Sequence, residues 1–439
     1  MDLNKIIRYL LAIKEKSILG IKFILNQFIL RPLLIFFLEN QTDNKIQLIK
    51  NKLEVRFKIF KSFKVSFYGD QADNKIKLIK NQDLTSFRPI RLNFPNKKIN
   101  YPSSDLSLFT FNNVLASAHT NALIKGDFFL VPEYIYYKNI SDLSILYHST
   151  FFFINSEGNT FCSIRHKKAK ENINKAILIG GQGSENWYHF SIEYLPKLFI
   201  INNYTSLNSD ISIIVPDTYN ENNSFREALS LFSKNRNIVY LKSNEFVRCK
   251  KLYCLSDFNI TPFNLPKGQW PKLEQFSINS KIVKEYSNSL ISSINISQNF
   301  IHKKLFLIRN EKRRSFNQYQ LLSIAKKYGY VGISLEKYSF KEQVKIISNV
   351  KNLIGASGAA WTSMLYSKNS LKCLSWLPKE YFNFSTYSSL ADSLGHYLFF
   401  IECYPDQILK TTAQAYYQSY KVSPVEFENA LIKLEKIYI

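Results

Sequence analysis

Between residues 53 and 67 apolar side chains fall on every second position. Leu53, Val55, Phe57 and Ile59 alternate with charged or polar residues, and Phe63, Val65 and Phe67 resume the alternation. A period of two marks a half-buried strand. From about residue 101 the pattern becomes short apolar runs alternating with helical periodicity. Ala176–Ile179 reads as a strand, Trp187–Ile201 as a helix and Ile211–Val215 as a strand. Ser224 with Glu227 reads as a capping box opening a helix, and Asn237–Leu241 as another strand. The segment TPFNLPKGQWP at 261–271, with three prolines and a glycine, reads as a linker. After a helical stretch near 279–294 the alternation returns. The expected order is strand Leu305–Ile308, helix Gln318–Tyr328 stopped by Gly329, strand Val331–Ile333, a helix capped by Ser339 and Glu342, strand Val350–Ile354, and helix Ala359–Tyr366. Ser423 and Pro424 open a last helix with Phe427, Leu431 and Leu434 on one face.

Two βαβ arrays joined by a Pro-rich segment predict an α/β protein with two doubly wound Rossmann-type domains facing a cleft, the GT-B-like plan, preceded by an added N-terminal module. The expected divisions are an N-terminal extension at 1–100, a first domain at 101–265, a linker and helix at 266–300, a second domain at 301–406, and a helical tail at 407–439. Within the extension, QTDNKIQLIKN at 41–51 returns as QADNKIKLIKN at 71–81. Two copies point to a local duplication, not a solenoid.

Charge changes the picture less than its size suggests. Lys and Arg number 58 against 34 Asp and Glu, a net +24, but the basic residues are spread along a chain crowded with Lys, Asn and Ile. No basic arm, zinc finger or RNA-binding signature accompanies them, so nucleic acid is not an expected partner. Five cysteines, Cys162, Cys249, Cys254, Cys373 and Cys403, form no disulfide framework and point to buried thiols in a reducing, cytoplasmic compartment. The run ILGIKFILNQFILRPLLIFFL at 18–38 is broken by Lys22, Asn26, Gln27, Arg31 and Pro32. With Lys5, Arg8, Lys14 and Lys16 before it, residues 1–38 suit either a basic amphipathic segment in peripheral contact with an anionic membrane, on its inner face, or a packed helix pair.

Three constellations carry candidate chemistry. In GGQGSENWYHFSIEYLPKL at 180–198 a glycine turn leads into a helix with His189 and Glu193 four residues apart, with Asn186 one turn before His189 and the pair Trp187-Tyr188 between them. A carboxylate beside an imidazole on one helical face can orient a general base; a solvated polar face gives the same spacing. In LFLIRNEKRRSFNQ at 305–318, Arg309 follows a strand end, with Arg314, Asn317 and Gln318 close behind. Guanidinium groups there suit bidentate contact with a diphosphate, and a solvated basic loop is the alternative. In NVKNLIGASGAAWTSMLY at 349–366, a strand meets Gly355, Ala356, Ser357, Gly358 and Ala359 before a helix, where small residues let a phosphate reach free backbone N–H groups. No Asp-x-Asp pair occurs, so arginines and helix termini would have to neutralise a leaving diphosphate.

In this order the three constellations resemble glycosyltransferase family 61, a group associated with capsular polysaccharide biosynthesis. The resemblance spans about residues 110–405. It rests on Asn186, His189, Glu193 and Leu195-Pro196-Lys197; on Arg309, Arg314, Asn317 and Gln318; on Ser339, Phe340, Glu342 and Gln343; and on Gly355-Ala356-Ser357-Gly358-Ala359. The family has Glu where this chain has Gln318, and His where it has Ser357. The resemblance implies an inverting, metal-independent sugar transferase with no cofactor beyond its nucleotide-sugar donor. A polysaccharide or lipid-linked glycan of a bacterial-type surface polymer would be the acceptor. His189 and Glu193 would be catalytic, with either one the base. Asn186, Trp187 and Tyr188 would meet the acceptor. Arg309, Arg314, Asn317, Gln318, Gly355, Ser357, Gly358 and Ala359 would meet the donor. The two departures also fit a catalytically inactive relative that binds a glycan or a membrane.

Overall fold

A computed structural model describes residues 60–437 apart from 92–96, 133–150, 157–158, 166–168, 244, 260, 262–269, 296–301, 311–312, 411 and 416–417. The amphipathic run at 18–38, the first repeat copy at 41–51 and the alternation at 53–59 lie outside the described residues.

The fold is mixed α/β, built on two large sheets. The first contains Phe60–Phe67 (β1), Asn74–Phe87 (β2), Lys98–Ala116 (β4), Leu123–Lys125 (β5), Phe128–Val131 (β6), Phe151–Ser156 (β7), Asn159–Arg165 (β8), Asn172–Leu178 (β9), Ser212–Pro216 (β10), Ile238–Leu241 (β11) and Val247–Leu255 (β12). Its order is β11-β10-β9-β12-β4-β5-β6-β1-β8-β7, with β2 on β4. Only part of it is parallel: β11, β10, β9 and β12 run together, and β12 then meets β4 antiparallel. The second sheet joins Ile90–Arg91 (β3), Lys304–Leu307 (β13), Val331–Ile333 (β14), Asn352–Gly355 (β15), Lys372–Leu377 (β16) and Tyr397–Glu402 (β17) in the order β14-β13-β15-β16-β17-β3, every pair parallel. Its core strands read as continuous apolar runs (Leu-Phe-Leu, Leu-Ile-Gly), as expected where both faces are covered. A small ladder of Tyr404–Pro405 (β18) and Tyr420–Lys421 (β19) follows.

The chain before residue 101 enters both sheets. β2 pairs with β4 along nearly its whole length, and β3 lies beside β17. Strands from the first hundred residues therefore share hydrogen-bond ladders with the strands that follow.

The longer helices are a composite one over 187–204 (α1), Asn223–Ser233 (α2), Ser280–Ser292 (α3), Gln318–Lys327 (α4), Phe340–Ile347 (α5), Thr386–Leu394 (α6) and Pro424–Glu435 (α7). Ser339 and Glu342 do form a capping box, and Ser423 caps α7 through Glu426 N. Ser224 does not open its helix. α2 begins two residues earlier because Asn222 Oδ1 accepts from Ser224 N at 2.9 Å, an equally good cap supplied by a neighbour. Ala359–Tyr366 forms a 3-10 helix, where the reading was simply helical. A buried seam holds the halves together: Trp187 packs edge-on against Phe340 at 5.9 Å, and Tyr188 against Tyr387 at 5.5 Å.

Cys249, Cys254, Cys373 and Cys403 are free and buried, and burial pushes all four thiols up, Cys249 to about 12. Among the described residues no helix is long and apolar enough to cross a membrane.

Candidate active site

β9 ends at Leu178 and the chain turns through Gly180 and Gly181. A Cβ on Gly180 would lie 2.3 Å from Ala118 O, and one on Gly181 would lie 1.5 Å from Asn121 Oδ1. The turn therefore requires glycine because the loop after β4 lies directly on it. Asn186 then caps α1, its side chain accepting from Tyr188 N at 2.9 Å.

α1 is not uniform. Trp187–His189 is α-helical, Phe190–Tyr194 is a π turn and Leu195–Tyr204 is α-helical again. Pro196 gives a physical reason. It has no N–H, and in an α-helix its ring would crowd the carbonyl of Ile192. Widening the turn separates the two, and the freed carbonyl accepts from Asn259 Nδ2 at 2.9 Å instead. Asn259 Oδ1 in turn accepts from Asn279 N, so both ends of this buried amide are used. Lys197, next in sequence, is also buried and reaches Asp257 at 2.7 Å.

The candidate catalytic pair spans the junction into the π turn, with His189 just before it and Glu193 within it. His189 Nδ1 lies 2.9 Å from Glu193 Oε2, with side chains only 10% and 14% exposed. The carboxylate can only accept, so Nδ1 carries the proton and Nε2 is the basic nitrogen of the neutral ring. Glu193 Oε1 is buried and has no hydrogen-bond partner among the described residues. A buried carboxylate oxygen without a partner is costly to leave and ready to accept a hydroxyl. Tyr188 stands against the His189 ring at 5.6 Å; burial first, then the Glu193 charge, pushes its hydroxyl well up, so it stays a neutral phenol. Trp187 packs among Phe190, Phe225 and Phe340.

The second cluster sits at the carboxyl ends of β13 and β15. Arg309 Nη2 donates to Ser357 O at 2.6 Å. A Cβ at Gly358 would fall 2.6 Å from that same nitrogen, and one at Gly355 would fall 2.8 Å from Leu307 Cβ. The small-residue turn thus serves the guanidinium and the strand as well as any ligand. Ala359 begins the 3-10 helix that follows. Gln318 grips the backbone of Arg309 twice: its Oε1 accepts from Arg309 N at 2.8 Å and its Nε2 donates to Arg309 O at 3.1 Å. Asn317 treats Val422 the same way, both bonds at 3.0 Å. Both amides are therefore occupied by backbone in this conformation. Arg314 has φ +59, in the left-handed region that non-glycine residues rarely enter. It lines a cavity of about 60 Å³ with Ser357, Trp376, Tyr381, Phe384 and Tyr387, and its Nε is buried without a partner among the described residues.

The structure thus gathers Arg309, Ser357 and Gly358 in direct contact, with Arg314 on the same cavity as Ser357. His189 and Glu193 form a separate pair, linked to that cavity through the Tyr188–Tyr387 contact. Sequence reading missed Asn259 and Tyr387. A proline inside a helix signals that some donor must replace its N–H, but not which one. A larger cleft of about 1030 Å³ lies at the amino ends of β16 and β17, away from both clusters. Its His396 is already held by Leu371 N and Met364 O, and burial lowers it to about 4. Among the described residues no group of three or more His, Cys, Asp or Glu side chains is placed to hold a metal ion.

The family model for Glycosyltransferase 61 matches residues 187–374, from the start of α1 to within β16, and so takes in both clusters. No curated protein matches the chain. Over residues 187–374 the chain is similar to glycosyltransferase 61, the family its motifs resemble.

Proposed function

We propose that this chain transfers a sugar from a nucleotide-sugar donor to a glycan acceptor, with inversion, in the building of a surface polysaccharide. The observation that carries the reading is the buried His189–Glu193 pair with its unmatched carboxylate oxygen, inside the matched stretch. The acceptor O–H loses its proton to His189 Nε2 as its oxygen bonds to the anomeric carbon. The bond from that carbon to the donor diphosphate breaks, and the diphosphate leaves with the electron pair. Glu193 holds the imidazole and stabilises the imidazolium that forms. Arg309 and Arg314, with the amide groups following Gly358, neutralise the leaving diphosphate without a metal or further cofactor. In a GT-B-like arrangement the first sheet, near the proposed 101–265 domain, serves the acceptor and the second, near 301–406, the donor. Residues 1–38 would hold the enzyme near a lipid-linked acceptor on the cytoplasmic side of an anionic membrane.

The test is a thermal-shift screen against UDP-, GDP-, CMP- and dTDP-sugars, followed by turnover with the donor that binds. A ligand that binds only the folded state raises the melting temperature. Binding together with release of free nucleotide supports a transferase. Binding without turnover toward any acceptor would favour a non-catalytic glycan-binding relative.

A further inference from the structure

We infer that His119 and Asp217 form a subsite for hydroxyl groups of a second sugar of the acceptor glycan; the inference rests on the transferase reading above. His119 lies on the loop between β4 and β5, which crosses the carboxyl ends of β9, β10 and β11. Open parallel sheets bind their ligands at these ends. Its Nε2 is 3.0 Å from Leu241 O and 3.3 Å from Asp217 Oδ1. Both neighbours only accept, so the proton is on Nε2 and Nδ1 presents a lone pair. Nδ1 has no protein partner among the described residues, and the side chain is 16% exposed. Asp217 uses Oδ1 for His119 and for Thr218 N, while Oδ2 has no partner among the described residues. The two side chains therefore offer two open acceptors, His119 Nδ1 and Asp217 Oδ2. Such a site selects a ligand rich in O–H groups, as a sugar is, and disfavours anions.

The loop is built to hold this position. Tyr68 Oη donates to Asn121 O, Thr120 Oγ1 accepts from Ala122 N, and Ala118 and Asn121 lie on Gly180 and Gly181. The turn that starts the His189 helix thus also fixes the His119 loop. An acceptor seated at His189 would run its next residue along the strand ends toward His119. A metal would need a third ligand, and none is placed there among the described residues.

The experiment uses the full chain with ¹⁵N-labelled histidine, titrated with methyl glycosides of mono-, di- and trisaccharides. The free protein should show His119 as the Nε2–H tautomer, and di- or trisaccharides should shift its Nδ1 resonance while monosaccharides do not. In transfer assays His119→Ala and Asp217→Asn should each raise KM for the longer acceptors about tenfold, the loss of one hydrogen bond. Turnover number, monosaccharide acceptors and acceptor-independent donor hydrolysis should be unchanged. No perturbation by any saccharide, a response to Zn²⁺ alone, or equal loss across all acceptor lengths would overturn the subsite. Loss of donor hydrolysis in the wild-type protein would instead count against the transferase reading.

Discussion

The two clusters inside the family-matched stretch use their backbone differently. Around His189 polar capacity is left unused: Glu193 Oε1 is buried and has no partner among the described residues, on a π turn that departs from regular helix. Around Arg309 the peptide and one guanidinium nitrogen are committed to protein groups, while Arg314 Nε on the neighbouring cavity is buried without a partner among the described residues. Gln318 holds the Arg309 peptide, Ser357 O takes Nη2, and Gly358 makes room for it. The first arrangement suits bond-making, where a group must gain a contact only as reaction proceeds. The second suits holding, where a charge must already be aimed before the ligand arrives. π turns recur at functional sites for the same reason: they misalign backbone and side chains locally at modest cost.

The largest effect should separate the two. His189→Ala and Glu193→Gln should each lower turnover by about 10²–10⁴-fold with donor affinity preserved. The double variant should be little worse than His189→Ala, because an orienting carboxylate has nothing left to orient. Glu193→Gln proving the more severe single change would make the carboxylate the base. Near wild-type turnover in both would return α1 to a structural role.

Next, Arg309→Ala should weaken nucleotide-sugar binding by about 1.5–3 kcal/mol, measured by calorimetry, with lysine rescuing only partly because it lacks the planar fork. An unchanged affinity would place the diphosphate elsewhere. Of similar size but on stability, Asn259→Ala should cost about 1–3 kcal/mol in denaturant unfolding, since it strands the Ile192 carbonyl. A change below about 0.5 kcal/mol, the usual range for a neutral surface substitution, would show that the π turn stands without it. Smallest, Gln318→Glu should lose about 1 kcal/mol of donor affinity. A carboxylate can accept from Arg309 N but would face Arg309 O as a second acceptor. Equal or tighter binding would mean that Arg309 is held by Ser357 and Gly358 alone.

What the sequence disclosed follows from how local each signal is. The strands from Ala176 onward, the Ser339 and Ser423 caps and the pairing of His189 with Glu193 depend on neighbours within four residues, and they were readable. The size and mixed direction of the first sheet were not. They depend on β4 meeting β12 across more than a hundred residues, which no local period records. The π turn hides for a subtler reason: His and Glu four apart look alike in α and π geometry, and only Pro196 hints at the difference. Likewise Asn317 and Gln318 look like ligand groups in a motif, while their amide partners, Val422 and Arg309, emerge only in three dimensions.

The π turn also fixes a phase. A helix containing one such turn holds one residue more than an α-helix of the same length, so its two ends are rotated relative to each other. Each residue of an α-helix advances about 100° around the axis. Deleting Ile192 and letting the helix relax would swing Trp187–His189 around the axis relative to Leu195–Tyr204 by an angle of that order. Trp187 would leave Phe340, and Tyr188 would leave Tyr387. A single inserted residue thus acts as the indexing tooth that aligns one half of the molecule with the other.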